Sequence, residues 1–189
     1  MSETLARHRI TGEEWRAWVE TGALDKKRVM LRHGEVVEMS PIGPEHSFHV
    51  TVAAETLYRR LQPGRGHIRV QDPIALGLDD EPQPDIVVAI ARAHRYRHSH
   101  PAPPDVSLVI EVAQSSYRHD KASVADYAAA GIRNLWIVDL NRRRLEVFTD
   151  PDPNTKKYRN EQVFGPDDGL TVSELELTLR VSEILPAED

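Results

Sequence analysis

Asp85 opens the apolar run Asp85-Ile-Val-Val-Ala-Ile90, and Glu111 lies inside a second run, Ser107-Leu-Val-Ile-Glu-Val112. Val and Ile crowd both runs without the polar alternation of a solvated sheet, so both read as interior strands. A carboxylate placed there is costly unless a cation or hydrogen-bond donors meet it. A divalent metal satisfies two such carboxylates at once. Pro84 has no amide to give a neighbouring strand and suits a strand's first residue, which puts Asp85 at a strand mouth. With Glu111 on the next strand, the two carboxylates and the backbone carbonyl of Val112 offer oxygen ligands to a hard cation, Mg²⁺ or Mn²⁺. His94, His98 and His100 do not suggest zinc, because they form no ordered triad and Pro101, Pro103 and Pro104 mark an irregular loop.

The elements that must position these acids follow from the rest of the pattern. Thr11-Gly-Glu-Glu14 is a capping box that starts a short helix running to about Glu20. Arg28 to Met39 reads as two short strands around a turn at Arg32-His33-Gly34. There Glu35, Val37 and Met39 share one side, which singles out Glu35 as a glutamate on an apolar face. From Glu45 to Leu61, Val50, Ala53, Ala54, Leu57 and Leu61 recur at helical spacing. His46 opens that helix, where it can contact a phosphate or orient an acid.

A strand from Ile68 to Ile74 comes next, and a basic, Pro-rich excursion from Ala91 to Pro104 separates the two acid-bearing strands. A connection of that length with no element of its own is usually functional or mobile. Ser115-Ser116 can cap a helix over about Asp120 to Ala130, which Gly131 would end. Leu135 to Asp139 is a further interior strand, with Trp136 and Val138 on one side and Leu135 and Ile137 on the other. An edge-like strand from Arg144 to Phe148, a strand around Lys157 to Val163 and a short terminal helix at Val181 to Leu185 complete the order. The class is α/β, an α+β mixed sheet flanked by helices, with one crossover between the Glu111 and Trp136 strands. Tyr127 is assigned to an inner helix face as ordinary core.

With 189 residues the chain suits one domain, its core at about residues 10 to 185. No stretch approaches the ~18 apolar residues of a membrane span. The absence of Cys excludes disulfides and thiolate metal sites and fits a reducing, cytoplasmic compartment. A net charge of −6 argues against coating nucleic acid through the whole surface, yet a nuclease needs only a local basic rim. Arg92, Arg95 and Arg97 of the long loop supply one. No glycine-rich phosphate loop, His-Glu-x-x-His or Gly-x-Ser-x-Gly occurs, which removes the common nucleotide-binding and hydrolase readings.

Taken in order, His33-Gly-Glu-Val-Val-Glu-Met-Ser-Pro41, His46, Gln83-Pro-Asp-Ile-Val-Val88, Leu108-Val-Ile-Glu-Val-Ala113, Asp120 with Tyr127-Ala-Ala-Ala-Gly-Ile132, and Leu135-Trp-Ile-Val-Asp139 resemble the Uma2 (DUF820-like) family. The resemblance implies a restriction-endonuclease-like core of the PD-(D/E)xK superfamily. It makes Asp85 the PD aspartate, Glu111 the second-strand acid and Glu35 the first-helix-region acid, which would bind a water or a second cation. Most nucleases of that fold carry a lysine two residues after the glutamate, where this chain has Ala113. The family pattern instead puts a lysine on the following helix, at a place that falls on Ser123 or Val124 here. Lys121 is the lysine left to serve, and it is expected to steady the attacking water or the developing charge.

The expected activity is Mg²⁺-dependent DNA endonuclease cleavage, catalysed by Glu35, Asp85, Glu111 and Lys121. His46, Arg92, Arg95 and Arg97 would contact DNA, and a homodimer would match duplex symmetry. The alternative is a catalytically lapsed nuclease-fold module that binds nucleic acid or protein.

Overall fold

In a computed structural model, residues 7–114 and 117–187 are described, with the side chains of residues 117–119 left aside. The capping box is present: the Thr11 hydroxyl accepts from the Glu14 amide, and Glu14 reaches back to the Thr11 amide across 2.8 Å, starting α1 (Gly12–Glu20). Strands β1 (Val29–Arg32) and β2 (Glu35–Glu38) pair antiparallel, with Arg32 opposite Glu35. His33 and Gly34 both take positive φ (49° and 73°), the two-residue turn whose twist matches a hairpin.

Helix α2 (Pro44–Arg60) begins with proline at its first position, where no amide hydrogen bond is lost. Strands β3 (His67–Val70), β4 (Ile86–Ala89) and β5 (Val106–Ala113) follow, then α3 (Tyr117–Ala129), β6 (Asn134–Asp139), β7 (Arg144–Asp152) and β8 (Lys157–Phe164). These six strands form one sheet in the order β3-β4-β5-β6-β7-β8. Only β5 and β6 run parallel, joined by α3 as the crossover expected from sequence. At the end of α3, Gly131 takes φ 77°, and the amides of Gly131 and Ile132 reach back to the carbonyls of Ala128 and Tyr127. This pair of bonds closes the helix. The proposed cap at Ser115-Ser116 lies outside the described residues.

Side chains alternate across the central strands and build two cores. Val88, Ile110, Trp136 and Val138 pack with Val50, Ala53 and Leu57 of α2. Val109, Leu135 and Ile137 pack on the other side with Tyr127 and Ile132. Each such fully buried aliphatic side chain contributes about 1.5–3 kcal/mol.

Three sequence expectations change and one element is new. The strand expected to reach Ile74 stops at Val70, short of Pro73, which cannot donate to a ladder. The strand carrying Arg144 to Phe148 is interior, because β8 covers its outer side. A hairpin of β9 (Gly169–Val172) and β10 (Leu177–Arg180) had no sequence signal and completes the α2-side core through Leu170, Leu177 and Leu179. The terminal helix is a single 3-10 turn, Val181–Glu183. No helix of the described residues is long and apolar enough to cross a membrane.

Candidate active site

Asp85 ends the segment leading into β4, and Glu111 sits near the end of β5. Strand pairing brings them together, since Ile86 stands opposite Ile110. The Asp85 amide donates to Glu111 Oε2 at 3.2 Å, and Asp85 Oδ2 accepts from the Val112 amide at 2.8 Å. Gln71, in the positive-φ turn after β3, donates its side-chain amide to Asp85 Oδ1 at 3.4 Å. His46, in the first turn of α2, places Nε2 3.0 Å from Asp85 Oδ2. From α3, the Tyr127 hydroxyl donates to Glu111 Oε1 at 2.5 Å. These acids, with Asp120 and His46, line a cavity of about 620 Å³ roofed by the β1–β2 hairpin.

The electrostatics follow from this crowding. Burial pushes the Glu111 carboxyl well above the usual carboxylate range, and the charges of Asp85 and Asp120 push it further against the bonds from Tyr127 and the Asp85 amide. Burial and the Glu111 charge push the Tyr127 hydroxyl up in turn. For His46, the bond to Asp85 outweighs burial; the charges of Asp85 and Asp120 and the Val112 carbonyl add to it, and the imidazole is held above its ordinary value. No Lys or Arg side chain pairs with Asp85 or Glu111 among the described residues. Acids that line one cavity, with the Glu111 carboxyl raised by burial and by its neighbours' charges, fit a divalent cation, which would relieve the same repulsion.

A second grouping borders the same cavity. Ligand atoms of His33, Asp80 and Asp126 lie within 4.8 Å of one another, a His/Asp cluster able to coordinate a divalent ion. Arg32 already answers both acids, with Nε 2.8 Å from Asp80 Oδ1 and Nη2 2.6 Å from Asp126 Oδ2. Its guanidinium gives that cluster a cation of its own, which the Asp85–Glu111 pair lacks among the described residues.

The other residues singled out from sequence fall elsewhere. Lys121 turns away from the acids: Nζ lies 2.9 Å from Glu146 Oε2 and 2.8 Å from Glu161 Oε1, over the Phe148 ring. Successive residues of a helix point about 100° apart, so Asp120 faces the acids while its neighbour faces β7 and β8. Burial works against the Lys121 charge, but Glu161 and Glu146 outweigh it and raise its proton affinity. The expectation that Lys121 stands beside the acids is therefore corrected. Glu35 is exposed opposite Arg32 and does not line the cavity, whereas Val37 and Met39 do. Arg92 is engaged by Asp105. Arg95 and Arg97 are exposed on the long loop, and none of the three lines the acid cavity. Among the described residues, the basic side chains that line it are Arg28, Arg32, His33 and His46.

Sequence reading missed the roles of Gln71, Tyr127 and Arg32. An aromatic on an inner helix face reads as core, and Tyr127 is core as well, with 1% exposure, so nothing in the pattern marks its hydroxyl. Arg32, next to a hairpin turn, offered a signal in its adjacency to His33.

The Uma2 family, described as "Putative restriction endonuclease", matches residues 13–182. The crystal structure of "a putative nuclease belonging to DUF820" from Anabaena variabilis shares the fold at a TM-score of 0.64. It is 20% identical, and the match covers 83% of this chain and 89% of that one. No curated protein matches the chain.

Proposed function

The chain belongs to the Uma2 family, and from that premise we propose that it is a metal-dependent endonuclease hydrolysing phosphodiester bonds in DNA, within the PD-(D/E)xK superfamily. One observation carries the reading: Asp85 and Glu111 are locked together at a cavity, and no Lys or Arg among the described residues is supplied to them. Asp85, Glu111 and the Val112 carbonyl would hold Mg²⁺ or Mn²⁺, with Asp120 beside them. A bound divalent ion supplies a lowered water pKa and neutralises charge developing on phosphate. The protein's own groups do the rest. The Val112 amide and His46 fix the Asp85 carboxylate, and the Tyr127 hydroxyl fixes Glu111. His46, held towards its protonated form, is a proton source facing the cavity. Arg28 at the cavity rim and Arg97 beyond it supply positive charge for backbone phosphates. A homodimer would present two such sites to the two strands of a duplex.

The test is nicking of supercoiled plasmid with Mn²⁺. Wild type nicks, and Asp85→Asn or Glu111→Gln lowers the rate at least about 100-fold, equivalent to ~2.7 kcal/mol of transition-state stabilisation. Equal rates in all three proteins would overturn the reading. The commitment of Lys121 to Glu146 and Glu161 favours a second one, a lapsed nuclease that binds nucleic acid or protein. A wild type silent with Mg²⁺ and Mn²⁺ from pH 6 to 9 that still binds DNA would select it.

A further inference from the structure

A second cavity of about 540 Å³ lies between α1 and the long loop, within the size range of small-molecule sites. Trp15, Leu24, Val29 and Tyr96 form its apolar lining. Two residues that line it carry buried polar atoms without a hydrogen-bond partner, Glu81 Oε2 and Arg69 Nε. Glu81 is 1% exposed, and its other oxygen meets the half-exposed Arg16; Arg69 reaches Asp72 through Nη2 at 3.2 Å. Buried polar atoms almost always find a partner, so an acceptor and a donor left unmet beside a cavity are unusual.

Gln83 lines both this cavity and the one holding the acids. Glu81 and Gln83 each precede a proline, which holds them to extended backbone. The segment from Glu81 to Asp85 thus runs from one cavity to the other over no more than about 14 Å.

We propose that this second cavity receives the base of an unpaired nucleotide next to the phosphate held at Asp85 and Glu111. The proposal rests on the nuclease reading. A nucleobase is flat and apolar on its faces, and its edge carries both N–H donors and ring or carbonyl acceptors. Such an edge answers Glu81 Oε2 and Arg69 Nε together. A purely apolar ligand answers neither, and a simple anion has no N–H donor to offer Glu81 Oε2. Movement of Arg16, half in solvent, opens the carboxylate to the ligand, and the sugar and phosphate lead out past Gln83.

The experiment uses the full chain in EDTA, where no metal-dependent cleavage occurs. Nucleoside 5′-monophosphates and deoxyribose 5-phosphate are titrated by calorimetry and tryptophan fluorescence. The nucleotides bind and the sugar phosphate does not. Glu81→Gln weakens nucleotide binding at least 10-fold, and Ser99→Trp, which fills the exposed mouth, abolishes it. Nucleotides that bind no better than the sugar phosphate, or that bind Ser99→Trp as they bind wild type, overturn the proposal. Nucleotide binding in a protein that never nicks plasmid removes the nuclease reading alone, and nicking without nucleotide binding removes the base site alone.

Discussion

Two pairs of acids, all buried except the half-buried Glu111, lie on or at the start of neighbouring strands of one sheet and are satisfied in opposite ways. On β6 and β7, Asp139 accepts from the Arg142 amide and guanidinium at 3.1 and 3.0 Å. Glu146 accepts from Lys121 at 2.9 Å and from Arg144 at 2.5 Å. On β4 and β5, Asp85 and Glu111 meet backbone amides, a glutamine, a tyrosine and a histidine, and no Lys or Arg among the described residues reaches them. A buried carboxylate with a matched cation is a finished structural element, whereas one left with neutral donors and a titratable ring keeps capacity for a cation from outside. The difference separates scaffold from site more cleanly than burial does, since Asp85, Asp139 and Glu146 are all buried.

The comparison breaks first at Asp139. Asp139→Ala should cost about 1.5–3 kcal/mol in urea unfolding, because the Arg142 amide and guanidinium lose a fully buried acceptor. Glu111→Gln in EDTA should cost nothing or stabilise slightly. A loss at Glu111 as large as that at Asp139 would make both pairs structural. Mn²⁺ should raise the melting temperature of wild type and not of Glu111→Gln, by mass action on the folded state. Next, Lys121→Met should lose about 1–2 kcal/mol, discounted because the lysine is partly exposed, and should keep the whole Mn²⁺ effect. A variant that kept its stability but lost the Mn²⁺ effect would return Lys121 to the site. Tyr127→Phe should cost about 1 kcal/mol and weaken Mn²⁺ binding by loosening Glu111, both readable in one set of melts.

The smallest effect is a slope with pH. A carboxyl held above its unfolded value binds more protons when folded, so its contribution to metal-free stability falls as pH rises above the ordinary glutamate range. His46, also raised, adds stability that is complete below the unfolded histidine value and is lost as pH climbs through the folded one. Both act in the same direction, so stability in EDTA should decline from pH 5 to pH 8. Glu111→Gln should flatten that decline, and saturating Mn²⁺ should reverse it. A flat profile in wild type would mean that the acids are already balanced.

The two acids at the heart of the site were legible because a charge inside a run of Val and Ile is tolerated only where donors or a cation meet it. The central sheet and its crossover were legible as continuous apolar runs around one helical period. What could not be read was direction. Nothing in the sequence states that Asp120 and Lys121, adjacent on α3, serve different neighbours, since that depends on how the helix rotates against β7 and β8. The cations of the scaffold were equally hidden. Arg144 and Glu146 look like the alternating charges of a solvated edge, and only the pairing of β8 outside them turns that edge into interior.

Pro82 and Pro84, either side of Gln83, have a consequence in the unfolded chain. Proline fixes φ near −65° and restricts the residue before it, so Glu81 to Asp85 is partly straightened before any tertiary contact forms. The separation of the two cavities is then held by covalent geometry together with the backbone bonds that tie Glu81 to Leu31, Pro82 to Ile74 and Asp85 to Gln71. Replacing either proline with alanine would return about 0.4–1 kcal/mol of conformational entropy to the denatured state. Homologues or designed variants that shorten this stretch by one residue would change which side chains face which cavity, because alternation along an extended chain has a period of two.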